Sequence, residues 1–199
     1  MNKDFDIKHD FSGFKEVFAE QNAKLNLISK NDEKFLFEKH IYDSLAIKLT
    51  GINMVGKKLL DIGCGGGFPS LPIAIEYPEL NVVGVDSIRK KIAAVTEIKE
   101  KLDITNFSAV CDRVENLKGQ KFDIITSRAV AELSVITEYA IPLLNKDGVF
   151  IAYKSRKVSE EIEGAKQTLA KYKVRVLDII QYTLPLQEVY ERNLVVIGF

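Results

Sequence analysis

Tryptophan is absent from this sequence, cysteine and histidine occur twice each, and proline five times in 199 residues. Cys64 and Cys111, with His9 and His40, are too few and too scattered for a tetrahedral zinc site, so no metal is expected. An excess of charge is missing too: 28 lysines and arginines face 28 aspartates and glutamates. That balance excludes a bulk polycation gripping nucleic acid by counterion release, and any nucleic-acid site must come from local charge. No run of about 18 uncharged apolar residues exists to cross a bilayer. The opening MNKDFDIKHD lacks the apolar stretch of a secretory signal. A cytoplasmic setting with reduced thiols and no membrane partner is therefore expected.

What is present is ordinary globular composition, 46% hydrophobic. The length suits one domain with a full core, or a domain with a small extension. Residues 1–56 read as a helical N-terminal extension. Phe11, Phe14, Phe18 and Leu25 recur at helical spacing, and Phe37, Ile41, Leu45 and Leu49 make a second stripe four apart. Between the stripes, Ser29-Lys-Asn-Asp32 has the form of a capping box.

From residue 57 to 199 the rhythm is that of alternating strands and helices. Strands are expected at 57–63, 81–86, 107–111, 122–127 and 148–153, with helices after Pro69 and over 88–102, 132–144 and 158–171. This is the pattern of an α/β, doubly wound, Rossmann-like parallel sheet. Two further β-rich runs, 175–184 and 193–199, have no helix between them and read as an antiparallel hairpin on one sheet edge. The expected total is seven strands.

The first strand ends in Asp61-Ile-Gly63-Cys-Gly65-Gly-Gly67-Phe68-Pro69. Glycines there let a ligand approach the backbone, and a helix start offers amide groups. The dinucleotide fingerprint would need glycine at position 68, which is Phe68. The pattern present, D-x-G-x-G-x-G, is that of S-adenosylmethionine (SAM) methyltransferases, whose cofactor carries an ammonium group that Asp61 could meet. Asp86, ending the second strand, stands where an acid holds ribose hydroxyls, or else where a helix is capped. Cys111-Asp-Arg-Val114-Glu115 ends the third strand, expected beside the first where an adenine would rest. Thr126-Ser-Arg128-Ala ends the fourth, where the substrate is met; no Asn-Pro-Pro-Tyr or Pro-Cys motif stands there.

Basic residues cluster at Arg89-Lys90-Lys91, at Lys154-Ser-Arg156-Lys157, and at Lys171, Lys173 and Arg175. Each is a solvated face or a phosphate contact. His40 reads as a packed or capping histidine before it reads as a catalyst.

Taken in order, Asn26-Leu27, His40-Ile-Tyr-Asp43-Ser44-Leu45, LLDIGCGGGFPSLPIAI, VVGVDS, RVE, FDIITSRAVA and Arg192-Asn-Leu-Val-Val-Ile resemble the glucose-inhibited division protein B family. These are bacterial small-subunit rRNA guanine-N7 methyltransferases. The resemblance runs from about residue 22 to the end and implies a SAM-dependent enzyme with a helical N-terminal extension. Its implied substrate is one guanosine of 16S rRNA, position 527 in the RNA's own numbering, met as free RNA or in the small ribosomal subunit. The alternatives are a methyltransferase for a different RNA or a small molecule, or a non-catalytic RNA-binding assembly factor. A monomer is expected. Carried over by position, the implied cofactor contacts are Gly63, Phe68, Val114, Glu115 and Arg128. Ser70, Ile88-Arg89 and Ser155 depart from the family pattern. Guanine N7 carries a lone pair and no proton, so no general base is assigned. Arg128 and Lys154 are the candidates to orient the base through O6 or a phosphate, because an arginine bonded to N7 would block the reacting lone pair.

Overall fold

The computed structural model describes residues 5–199. Seven strands, β1 (Lys58–Ile62), β2 (Asn81–Asp86), β3 (Phe107–Cys111), β4 (Phe122–Arg128), β5 (Leu144–Lys154), β6 (Arg175–Thr183) and β7 (Glu191–Gly198), form one sheet in the order β3-β2-β1-β4-β5-β7-β6. The first five are parallel, and β7 pairs antiparallel with both β5 and β6. The C-terminal pair is thus at an edge as expected, with β7 inside and β6 outermost. One expectation fails: β3 pairs with β2 and is separated from β1 by it.

Alternate residues of each strand feed opposite faces, as the two-residue period of a strand requires. Leu59, Ile124 and Ile151 join one core with the N-terminal segment, α4 (Ser70–Glu76) and α5 (Arg89–Lys101). Leu60, Ile125 and Phe150 join the other, under α6 (Leu133–Ala140) and α7 (Val158–Tyr172). Strand order reverses between β1 and β4, and ligands of such sheets settle in the crevice outside that point.

The N-terminal extension belongs to the first of these cores. From α1 (Ser12–Leu25), Phe14 and Phe18 pack on Phe68 with ring centroids 5.9 and 5.0 Å apart. The capping reading of the next turn holds: Ser29 Oγ accepts from the Asp32 amide at 3.2 Å and starts α2 (Lys30–Glu33). The second stripe departs from a plain α-helix. Residues Phe37–Tyr42 form a wide π-turn, followed by α3 (Asp43–Leu45) and a 3-10 turn over Ala46–Thr50. Ile41 and Leu45 stay fully buried. The extra residue in the wide turn rephases the helix, so that His40 and Asp43 both reach β4.

Candidate functional site

A cleft of about 630 Å³ opens at the carboxyl ends of β1, β2 and β4. Gly63, Gly65, Phe68, Asp86, Val114, Glu115 and Arg128 all line it, together with His40. The turn after β3 reaches this wall even though β2 lies between β3 and β1.

The glycine turn is shaped by its own hydrogen bonds. Gly63 and Cys64 amides donate to the Val85 carbonyl at 2.8 and 3.0 Å, and those of Gly67 and Phe68 to the Cys64 carbonyl at 2.7 and 3.1 Å. The Gly65 amide donates to Asp86 Oδ2 at 3.0 Å. Five amides that a phosphate could have used are therefore spent, against the expectation that this turn presents free donors. The positive φ of Gly63 (+71°) also goes with a close approach: a Cβ there would lie 2.5 Å from Val130 Cγ2.

Asp86 shapes the start of α5, one of the two readings of the sequence, and also lines the cleft. Its Oδ1 accepts from the Ile88 amide at 2.8 Å, shaping the entry to α5, while the carboxylate stays in the cleft wall. A carboxylate has about four acceptor positions, so two are left for a ligand.

Asp61, Gly67 and Lys154 depart from their expected places. Asp61 is fully buried beneath the turn and is not in the cleft wall. Thr126 Oγ1 donates to its Oδ1 at 3.0 Å, and Ser70 lies against the same carboxyl. Burial pushes the Asp61 carboxyl up to about 7, and neighbouring Ser70 and Thr126 moderate the rise. Gly67 lies behind the wall: at φ +91° a Cβ would strike Leu71, 2.4 Å away, so its role is packing α4. Lys154 is buried and points away from the cleft, its Nζ 2.5 Å from Glu161 and 2.8 Å from the Ala131 carbonyl. The remaining basic residues of its cluster, Arg156 and Lys157, are exposed, as are Arg89 and Lys90.

Arg128 is in the wall but is not free. Nη1 donates to the Lys39 carbonyl at 3.1 Å and to Asp43 Oδ2 at 2.9 Å, and Nη2 to His40 Nδ1 at 2.9 Å. Its guanidinium lies over the Phe68 ring, 5.4 Å from the centroid. Asp43, fully buried, is the hub: Oδ1 also accepts from Tyr182 at 2.6 Å and Arg192 Nε at 3.2 Å, and Oδ2 from Arg192 Nη2 at 3.0 Å. Burial alone would raise the Asp43 carboxyl, but Arg192 and Arg128 hold it below the usual aspartate value. Sequence reasoning missed Tyr182 and this role of Asp43. The available signal was an acid between Ile41 and Leu45, two positions of an apolar stripe.

Residues 7–194 match the model of GidB, rRNA small subunit methyltransferase G. The chain is 39% identical over 194 residues to the ribosomal RNA small subunit methyltransferase G of Staphylococcus saprophyticus, covering 96% of this chain and 81% of that protein. Against the Bacillus subtilis protein of the same name the identity is 37% over 193 residues, covering 94% and 80%. The solved structure of M. jannaschii TYW2 in complex with AdoMet superposes with a TM-score of 0.63 at 14% identity, over 80% of this chain and 75% of that one. That likeness is one of fold.

Proposed function

The chain belongs to the rRNA small subunit methyltransferase G family, and on that premise we propose that it transfers a methyl group from SAM to N7 of the guanosine at position 527 of 16S rRNA. The observation that carries the cofactor assignment is the spent glycine turn. A dinucleotide's pyrophosphate needs unpaired amides, and five here are committed within the protein. The wall supplies the carboxylates Asp86, Asp112 and Glu115 beside the apolar Val85 and Val114, together with the cations Lys91 and Arg113. Acids suit a cofactor bearing ammonium and sulfonium charges, and they repel a phosphate. In this reading Asp86 holds the ribose hydroxyls, Val114 and Glu115 flank the adenine, and the Gly63 backbone borders the amino-acid end.

Bound there, SAM supplies an electrophilic methyl group on sulfur. The protein's own residues orient the base and exclude water, since guanine N7 needs no deprotonation. The two cations first considered for the base both have their charged ends engaged, Arg128 by Asp43 and His40 and Lys154 by Glu161. Neither therefore competes for the N7 lone pair, and both act by fixing the shape around the base. The N-terminal segment builds part of that wall through Leu27, Ile28, Ser29 and His40, with Asp43 holding Arg128 from behind.

The test is mass spectrometry of nuclease fragments of 16S rRNA from cells with and without the gene, joined to methyl transfer by the purified protein. Loss and restoration of 7-methylguanosine at that one position is expected. A label on another base or atom overturns the assignment.

A further inference from the structure

The segment joining β4 to α6 has three features that call for an external support. Ala129 sits at φ +56°, a left-handed conformation that costs a residue with a Cβ about 1 kcal/mol or more. Val130 follows, nearly half exposed, with its methyls packed against Gly63 in the cleft. And α6 begins with no side-chain cap from its own preceding residue.

One residue outside the cleft answers all three. Glu161, from the first turn of α7, accepts the Leu133 amide on Oε2 at 3.0 Å, capping α6 from another helix. The same oxygen lies 2.5 Å from Lys154 Nζ, and that ammonium donates to the Ala131 carbonyl at 2.8 Å. The pair is mostly buried, with side-chain exposures of 16% and 9%. Two hydrogen bonds thus pin the loop at both sides of Glu132, one from each member of an ion pair, directly behind the residues that face the cleft.

We propose that Glu161 is a positioning residue of the methyl transfer: acting through Lys154, it fixes the 129–132 loop so that Val130 forms the wall against which the target base is placed. The inference rests on the function proposed above and adds a role for a residue that touches no part of the cleft. It assigns the pair to the base side of the reaction. Asp86, Val114 and Glu115 stand on other elements, and because Val130 also packs on Gly63, SAM affinity is the measurement that separates the two sides.

The experiment compares Glu161→Gln with the double variant Lys154→Met, Glu161→Gln. Glutamine retains an acceptor for the Leu133 amide but leaves Lys154 buried without a counter-charge, which is destabilising; methionine removes that stranded charge. Methyl transfer to 16S rRNA, SAM affinity by calorimetry and melting temperature are measured on each, beside the wild type. For Glu161→Gln, kcat is expected to fall ten-fold or more with SAM affinity within two-fold of wild type. In the double variant the melting temperature recovers while kcat stays low, since the Ala131 carbonyl has then lost its donor. If kcat recovers together with the melting temperature, or if SAM affinity falls in step with kcat, the pair is merely structural and the proposal is overturned. A wild-type protein that transfers no methyl group to the RNA would instead refute the underlying reading.

Discussion

Arg128 Nη2 donates a hydrogen bond to His40 Nδ1 at 2.9 Å. A guanidinium has only donors, so Nδ1 must be the acceptor and the imidazole proton sits on Nε2. Burial, and then the Arg128 charge, push the His40 pKa down to about 4. At neutral pH the cleft wall therefore carries a neutral histidine fixed by a cation whose charge is answered by Asp43.

Replacing that cation removes more than a substrate contact. Arg128→Ala is expected to cost about 3 kcal/mol of stability, because a buried carboxylate loses one of two counter-charges. A reading of Arg128 as an exposed charge predicts no change in melting temperature. Thermal unfolding of the variant decides between them, and an unshifted transition would return Arg128 to the surface.

Asp43→Asn tests the hub itself. Two guanidiniums, from Arg128 and Arg192, then share no anion, and a loss of about 3–5 kcal/mol is expected. For a chain of this size that is a fall of about 10 °C in melting temperature. The depressed carboxyl of Asp43 also gives stability present above the usual aspartate pKa and lost as pH falls through the lower folded value. Acid unfolding of the variant should lack that component.

Gly63 and Val130 form a pair that can be read by compensation. Gly63→Ala is expected to weaken SAM binding at least ten-fold, since its methyl would stand 2.5 Å from Val130 Cγ2 at a positive φ. Adding Val130→Ala makes room and should restore part of the affinity in calorimetry, leaving only the backbone cost of about 1 kcal/mol. No recovery in the double variant would mean that the contact is not what excludes a side chain.

Two buried groups give pH dependences of opposite sign. Unfolded His40 takes up a proton below its ordinary 6.5 while the folded form waits until about 4, so its contribution to stability falls as pH drops through that window. Folded Asp61 keeps its proton up to about 7 while the unfolded chain releases it above 3.8, so its contribution falls as pH rises through that range. The effects are worth about 3 kcal/mol for His40 and about 4 kcal/mol for Asp61, and together they flatten the profile between pH 4 and 6.5. Asp61→Asn should expose the histidine alone, with stability rising with pH. Denaturant titrations at a series of pH values would show it; an unchanged slope contradicts the raised Asp61 value.

The doubly wound sheet was legible because its strands are short apolar runs ending at chemistry-bearing turns, and position relative to the sheet's carboxyl edge follows from topology alone. Gly63, Gly65, Asp86, Val114, Glu115 and Arg128 reach the cleft for that reason. Depth within the turn was not legible. Asp61 and Lys154 are on the right edge, but one lies under the loop and the other turns toward α7, and only three-dimensional packing decides that. The π-turn at Phe37–Tyr42 was equally hidden, since its apolar spacing is that of a regular helix. Its rephasing depends on partners in β4, β6 and β7, between 85 and 149 residues away in sequence.

The placement of β7 between β5 and β6 sets an order of completion during synthesis. The sheet cannot zip outward in the sequence in which its strands emerge, because the outermost strand is made before the one that joins it to the rest. Asp43 emerges early and waits for Tyr182 and Arg192, 139 and 149 residues later. A nascent chain that stops short of Glu191 leaves β5 without its antiparallel neighbour and leaves Asp43, which holds Arg128, with one of its two counter-ions. The acid that holds Arg128 in the cleft wall is thereby given its second counter-ion only by β7, a strand made after the one outside it.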